Sequence, residues 1–174
     1  MVRNTAKFLT VLAGLTFAGQ AFAQASDAET TTASVTLADP IVLTETAALQ
    51  FGNVAKGSTG TNTVTVSETN GNRSLGGGGN AALVSGVTAT RAAYSVTGED
   101  DATFSITLTS SSINLDGPGD GQLAVSLVRS ATTGTLTGGA ATFGIGGVLT
   151  IDNTDADDVA GAYSGDFEVT VAYN

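Results

Sequence analysis

The chain has 174 residues, of which 16 are acidic and six are basic, and it contains no histidine, cysteine or tryptophan. The lack of histidine and cysteine excludes a histidine-based catalytic triad, a zinc site of the usual ligands and any disulfide. The formal net charge of −10 at pH 7 argues against nucleic acid and anionic membranes as partners. We therefore expect no catalytic residue and no cofactor, and we predict that the protein is not an enzyme.

The first 23 residues have the pattern of a secretory signal peptide. Arg3 and Lys7 form a basic start, residues 8–18 are largely apolar, and residues 21–23, Ala-Phe-Ala, place small side chains at the cleavage positions. The apolar run is about half of the roughly 20 residues that cross a bilayer. The pattern predicts export through the inner membrane to the periplasm, and then to the cell surface or the medium, of a protein that is not integral to the membrane.

Residues 24–39 are predicted to form an extension in front of a single folded domain at residues 40–174. The extension begins as a polar segment and then shows the alternation of a short strand. Its alternating apolar residues are Ala33, Val35 and Leu37. Asp39-Pro40 follows, and a proline interrupts regular strand pairing. The segment before Pro40 is therefore separable from the domain after it.

The domain consists of short alternating runs separated by turns rich in glycine, asparagine and aspartate, about one every 8 to 15 residues. The clearest runs contain Val64 and Val66; Tyr94 and Val96; Phe104, Ile106 and Leu108; Leu123, Val125 and Leu127. Residues 70–80 predict a loop, residues 130–147 show no strand pattern, and residues 148–151 predict a short strand. We expect roughly eight to ten short strands, which favours an all-β, Ig-like sandwich.

The end of the chain shows the most regular alternation. From residue 166 onward, polar and apolar side chains alternate without error. The large side chains on one face are Phe167, Val169, Val171 and Tyr173. A strand with one buried face has this period. Because chain ends fray unless something holds them, the pattern predicts a partner strand for this segment.

A cluster of acidic residues precedes this terminal segment. Its members, Asp152, Asp155, Asp157 and Asp158, are weak candidates for a metal site. Carboxylate oxygens are the ligands that calcium takes, but the central glycine and the distal glutamate of an EF-hand loop are missing. A solvated acidic turn is the simpler interpretation, and both remain open.

Five sequence blocks carry a resemblance to known proteins. They are Leu49-Gln-Phe-Gly52, Tyr94-Ser-Val-Thr-Gly98, Phe104-Ser-Ile-Thr-Leu108, Gly146-Gly-Val-Leu149 and Tyr163-Ser-Gly-Asp-Phe-Glu-Val-Thr-Val-Ala-Tyr-Asn174. They resemble bacterial secreted proteins of the domain of unknown function 4402 family, over about residues 33–174. That family in turn is similar to spore coat protein U and to subunits of chaperone–usher pili.

Pilus subunits of that kind carry a glycine fourteen residues from the end and an aromatic residue second from the end. Gly161 and Tyr173 stand at these two places, whereas the cysteine pair of many such subunits is absent. The resemblance implies an incomplete, pilin-like sandwich whose missing strand comes first from a chaperone and later from a neighbouring subunit. The implied partners are copies of this chain or related subunits, a periplasmic chaperone and an outer-membrane usher.

A structural function follows as a hypothesis: a subunit of a fimbria or surface fibre that assembles head to tail by strand donation. Ala33, Val35 and Leu37 would form the donor strand, and the terminal strand from Phe167 to Tyr173 would form one wall of the acceptor groove. Two alternatives remain open. Residues 33–37 are also compatible with the first strand of their own domain, and the protein with a monomeric secreted sandwich whose acidic loops bind calcium or a glycan.

Overall fold

The computed structural model describes residues 26–174. The signal peptide predicted at residues 1–23 lies outside the described residues. The compact unit that contains the strands runs from Leu37 to Asn174. The described residues before it, 26–36, belong to a separate unit and contain no strand.

Residues 26–174 form twelve strands and no helix, which confirms the all-β prediction. The strands are β1 (Val42–Ala47), β2 (Asn53–Ala55), β3 (Thr61–Val66), β4 (Arg73–Gly77), β5 (Ala82–Val84), β6 (Ala92–Thr97), β7 (Thr103–Leu108), β8 (Ser112–Asp116), β9 (Gln122–Arg129), β10 (Thr133–Thr135), β11 (Ala140–Asp152) and β12 (Val169–Tyr173). Accordingly, this part of the chain holds no helix long and apolar enough to cross a membrane.

The strands pair in an antiparallel manner within three sheets. In the largest sheet, β1, β6, β11, β3 and β4 follow one another, β9 also pairs with β11, and β8 pairs with β9. A second sheet has the order β10-β7-β12, and β2 pairs with β5. The buried residues of β7 belong to the same core as those of β3, β6, β9 and β11, so the two larger sheets pack together as a sandwich.

The alternation of apolar residues in the sequence produces this core directly. In β6, Tyr94 and Val96 are buried and the residues beside them are more exposed, and Phe104 and Ile106 of β7 behave in the same way. The Tyr94 ring stacks on that of Phe143 in β11, with centroids 5.1 Å apart. The largest fully buried side chains are Phe104, Leu136, Ile145, Val64, Val66, Val96 and Val125. Burial of one such side chain contributes roughly 1.5–3 kcal/mol.

The central strand, β11, is longer than the sequence predicts. It contains 13 residues, whereas the sequence predicted only a short strand at residues 148–151. Ile145 pairs with both Ala92 of β6 and Arg129 of β9, so these two strands lie on opposite edges of β11. Beyond this point β11 pairs with β3, and it therefore connects most of the large sheet.

Glycines explain why the sequence did not predict the first part of β11, residues 140–147. A Cβ at Gly144 would collide with the carbonyl oxygen of Glu68, and a Cβ at Gly146 would collide with that of Val66. Glycine inside this strand therefore marks a close approach of two backbones. A glycine-rich run of this kind resembles a loop in composition although its backbone is extended.

Other strands also differ from the prediction. β4 lies within residues 70–80, which were predicted as a loop, and β2, β5 and β10 have three residues each, too few to show a period. Conversely, the strand predicted at residues 33–37 is not a strand in this structure. An alternating segment becomes a strand only where a neighbour satisfies its backbone hydrogen bonds.

The terminal strand is confirmed, with a later start than predicted. β12 begins at Val169 and pairs with β7, from Val169 opposite Leu108 to Tyr173 opposite Phe104. Its apolar side chains are half-buried and the intervening ones are exposed, as the alternation requires. Within residues 26–174 no strand pairs with the second edge of β12. The end of the chain is therefore held along one edge and open along the other.

Candidate assembly groove

A groove of about 520 Å³ with a mixed apolar and polar lining opens on one side of the sandwich. One wall consists of side chains from three neighbouring strands, β8, β9 and β11. They are Ile113, Leu115, Leu123, Val125, Leu149 and Ile151. The opposite wall is formed by residues 48–54 and by residues 158–165 with Phe167, and neither of these segments forms a long strand. The groove therefore lies between strands of the large sheet and two largely irregular segments.

Several of the residues that line the groove are only partly buried. Val125 at the base of the groove is only 1% exposed. Leu49, Phe51, Ile113 and Phe167 line the same space but are only partly buried while packing against the core. An added apolar peptide would remove this surface from water, and such burial is the main source of stability in a sandwich core.

Gly161 and Phe167, two of the residues predicted from the sequence, both line the groove. Gly161 lies against the ring of Pro118 in the β8–β9 turn, and a Cβ at this position would collide with that ring. Its backbone is not in the left-handed region, so the requirement for glycine is steric. Glycine here allows the segment to lie close to the turn.

Tyr163 also belongs to the groove and was not predicted as a site residue. Its hydroxyl donates a hydrogen bond to the carbonyl of Val159 at 2.8 Å, and its ring covers Gly117, where a Cβ would collide with it. Burial raises the pKa of this hydroxyl, and the charges of Asp158 and Asp155 add to the shift. The glycines of the β8–β9 turn were the available sequence signal, because an aromatic ring packs closely on a residue that lacks a side chain.

One backbone bridge holds this segment against the large sheet. The amide of Asp116, at the end of β8, donates to the carbonyl of Ser164 at 2.8 Å, and the amide of Ser164 donates to the carbonyl of Asp116 at 3.0 Å. Among the described residues, Ser164 is the one position between β11 and β12 that pairs with a strand. The segment thus has one β-bridge to the large sheet and is otherwise irregular.

The remaining residues of the terminal pattern lie along β12 beyond the groove. Val169, Val171 and Tyr173 are half-buried against the core and do not line the cavity. The hydroxyl of Tyr173 donates to the carbonyl of Asp39 at 2.8 Å and accepts from the amide of Glu99 at 2.7 Å. The structure thus brings Gly161 and Phe167 together and places Tyr173 at the opposite end of β12.

The predicted donor residues are exposed. Val35 is 84% and Leu37 88% exposed, and Ala33 is exposed as well. Exposure of large apolar side chains to this degree is unfavourable in water and is commonly a mark of an interaction segment. Their donation to a neighbour stays a prediction.

The acidic loop is satisfied by groups of the protein itself. The Lys56 ammonium donates to the backbone carbonyls of Asp155 and Asp158, the latter at 2.6 Å. The Asp152 carboxylate accepts from the hydroxyl and the amide of Thr154, at 2.7 and 2.9 Å. The bond from the Thr154 hydroxyl has the larger effect and the bond from its amide adds to it, and both lower the pKa of Asp152. Burial, in contrast, raises the pKa of Asp158. A lysine therefore supplies the positive charge in this loop.

The aspartates proposed as weak metal candidates do not form a ligand set in this arrangement. Asp155 accepts from the amide of Asp157 at 2.9 Å and caps its own turn. Within the part of the chain that the structure describes, no group of three acidic, histidine or cysteine side chains converges as a metal site would require.

Comparison with known proteins gives one result. No curated protein and no solved structure has significant similarity to the chain. A family model matches residues 41–173, a range that begins directly after Pro40 and contains all twelve strands and the groove. Because the match covers well over half of the chain, the protein belongs to the family described as a domain of unknown function, DUF4402.

Proposed function

We propose that the protein is a structural subunit of an exported fimbria or surface fibre, without catalytic activity, and that its subunits join by strand donation. The observation that carries the proposal is the groove beside β8, β9 and β11, in which Phe51, Ile113 and Phe167 stay only partly buried. The unpaired edge of β12 adds to this, because exposed backbone donors and acceptors are a template for another strand.

The proposed occupant of the groove is the segment at residues 33–37 of a neighbouring copy. It is exposed, it forms no strand in its own chain, and its apolar side chains alternate as an inserted strand requires. An extended run of five residues spans roughly 16 Å. Seating Ala33, Val35 and Leu37 would contribute on the order of 5 kcal/mol, before the cost of ordering the segment.

The positions of Asp39 and of the groove favour head-to-tail assembly. Asp39, where the extension meets the fold, is bonded to Tyr173 at the end of β12. The groove is lined by Phe167, six residues earlier in the chain. These points are on the order of 20 Å apart along the extended backbone. Because the donor base and the acceptor lie at different ends, each contact leaves a free donor and a free acceptor, and an open filament results.

The same proposal holds that the sandwich is Ig-like and lacks one strand. Its similarity to pilus subunits and spore coat protein U, noted from the sequence, supports export across the inner membrane and passage through the periplasm to the cell surface. A periplasmic chaperone would cover the groove before assembly, and an outer-membrane usher would exchange it for the next subunit. A monomeric module that binds calcium or a glycan is less well supported, because the acidic side chains of the described residues do not converge as a metal site would require.

Substitutions on the two faces of the extension test the proposal. Val35→Asp and Leu37→Asp would place charges in the groove and should abolish fibres seen by electron microscopy. Their matched controls, Ser34→Asp and Thr36→Asp, add the same charge on the other face and should leave fibres intact. All four positions are exposed, so each variant should retain its fold.

Deletion of residues 24–37 should likewise leave a folded protein that cannot extend a fibre. Size-exclusion chromatography and electron microscopy would report both properties. Fibres of normal length from the deleted protein would show that strand donation by this segment is wrong.

A further inference from the structure

Two hydrogen bonds hold the backbone of Asp39, the residue at which the extension meets the strands, and a third joins its two partners. Its amide donates to a carboxylate oxygen of Glu99 at 2.9 Å, and its carbonyl accepts from the hydroxyl of Tyr173 at 2.8 Å. The same hydroxyl accepts from the amide of Glu99 at 2.7 Å. Both backbone groups of Asp39 are thus bonded to two residues that also bond each other. All three residues lie within the compact unit Leu37–Asn174.

The turn after β6 is shaped to admit the tyrosine hydroxyl. Gly98 lies under it, and a Cβ at this position would collide with the hydroxyl oxygen of Tyr173 and lie 3.1 Å from the fully buried side chain of Leu136. On the other side of Asp39, Pro40 fixes its own φ and has no amide to donate. The bonding arrangement is therefore bounded by residues with little freedom to rearrange.

We propose that Tyr173 and Glu99 form a clamp that anchors the N-terminal extension to the fold at Asp39. Without it, the first attachment of the extension would be β1, an edge strand that pairs only with β6 among the described residues. Tension on the extension would then separate β1 from β6 one hydrogen bond at a time. With the clamp, tension reaches Asp39 first, and the bonds there transfer it to β12 and to the β6–β7 turn.

In the clamp, Tyr173 positions the extension, although it does not line the groove. The consequence of the clamp for a fibre depends on the proposed function, since only a donated segment carries tension between subunits. The clamp itself is a property of a single molecule and is testable without fibres.

The test is hydrogen exchange, residue by residue, on the purified protein and its Tyr173→Phe variant. The substitution keeps the ring and removes the hydroxyl. The amides of Asp39 and Glu99 should exchange about five- to tenfold faster, as the loss of one hydrogen bond predicts. The matched control is Tyr94→Phe, because the hydroxyl of Tyr94 bonds neither residue. The control should leave both exchange rates unchanged.

A second variant separates the two halves of the clamp. Glu99→Ala should accelerate exchange at Asp39 alone, because the backbone amide of residue 99 keeps its bond to Tyr173. If Tyr173→Phe leaves both rates within a factor of two of the original values, the clamp is wrong, whether or not fibres form. If both rates rise but the unaltered protein forms no fibres, the clamp stands and only the proposed function fails.

Discussion

Gly161 and Tyr173 fall in one sequence pattern but contact different parts of the molecule. Gly161 lies against Pro118 at the groove, where its lack of a side chain allows the approach. Tyr173 lies at the far end of β12 and acts through its hydroxyl, which bonds Asp39 and Glu99. The pattern therefore combines a steric requirement at one end of the terminal segment with a hydrogen-bonding requirement at the other.

The steric requirement at Gly161 predicts a loss of stability on substitution. Gly161→Ala places a Cβ into the ring of Pro118, and such overpacking costs about 1–3 kcal/mol. Urea denaturation of the purified protein measures the change. Gly78→Ala is the control, because a Cβ at that glycine meets nothing within 4 Å and its φ is not positive. Equal stability of the two variants would contradict the steric explanation.

The strands show which parts of the fold can be predicted from a single sequence. β6, β7, β9 and β12 each have one buried face, and their alternation located them. The first part of β11 escaped prediction because Gly144 and Gly146, which its neighbours' backbones require, interrupt its apolar pattern. β4 has the same difficulty at Gly76 and Gly77. Contacts between distant segments decide these positions, and no local pattern records them.

The groove was predictable only in part, for a related reason. Phe167 was found because it belongs to the alternating terminal pattern, and Gly161 because the resemblance to pilus subunits marks its position. Leu49, Phe51 and Tyr163 stand in irregular segments, and only the folded chain shows that they line the same space. In the acidic loop, the sequence indicated a cluster of carboxylates but not that Lys56, about a hundred residues away, bonds to it.

The acidic loop predicts opposite pH effects at two of its residues. Because burial raises the folded-state pKa of Asp158, its ionisation costs stability once the pH exceeds the ordinary aspartate value of about 3.9. Asp158→Asn should therefore be at least as stable as the original protein at pH 7, with the difference vanishing on acidification. The folded-state pKa of Asp152 is lowered, so its charge stabilises above the unfolded value and the benefit is lost as the pH falls.

Thermal melts between pH 3 and pH 7 compare the two isosteric variants. Asp152→Asn should lower the melting temperature at pH 7 and have no effect at the acid end. If the melting temperature at pH 7 changes in the same direction in both variants, the pKa values of the two carboxylates are not shifted in opposite directions.

The compact unit Leu37–Asn174 combines a buried core with an open groove. Val96 of β6 and Phe104 of β7 are almost fully buried, whereas Ile113 and Phe167 at the groove stay partly exposed. A domain of this size has little stability to spare, so an exposed apolar surface needs a compensating partner. The exposed apolar side chains of the extension, Val35 and Leu37, are the complementary part in chemistry.

This complementarity predicts that a protein given its own donor strand becomes more stable and no longer polymerises. Residues 26–39 would be repeated after Asn174 through a short flexible linker, so that the added strand runs back along the open edge of β12 to the groove. Held at an effective concentration in the millimolar range, it would outcompete donation from other subunits. We expect the melting temperature to rise by roughly 5–10 °C, for a net gain of about 2–3 kcal/mol.

The control for this fusion carries the same added segment with aspartate at the two positions that repeat Val35 and Leu37. It has the same length and linker but cannot place apolar side chains in the groove. Its melting temperature should equal that of the unfused protein, and it should still form fibres through the original extension. If both fusions melt at the same temperature, the groove does not accept this segment, and another occupant must complete the sandwich.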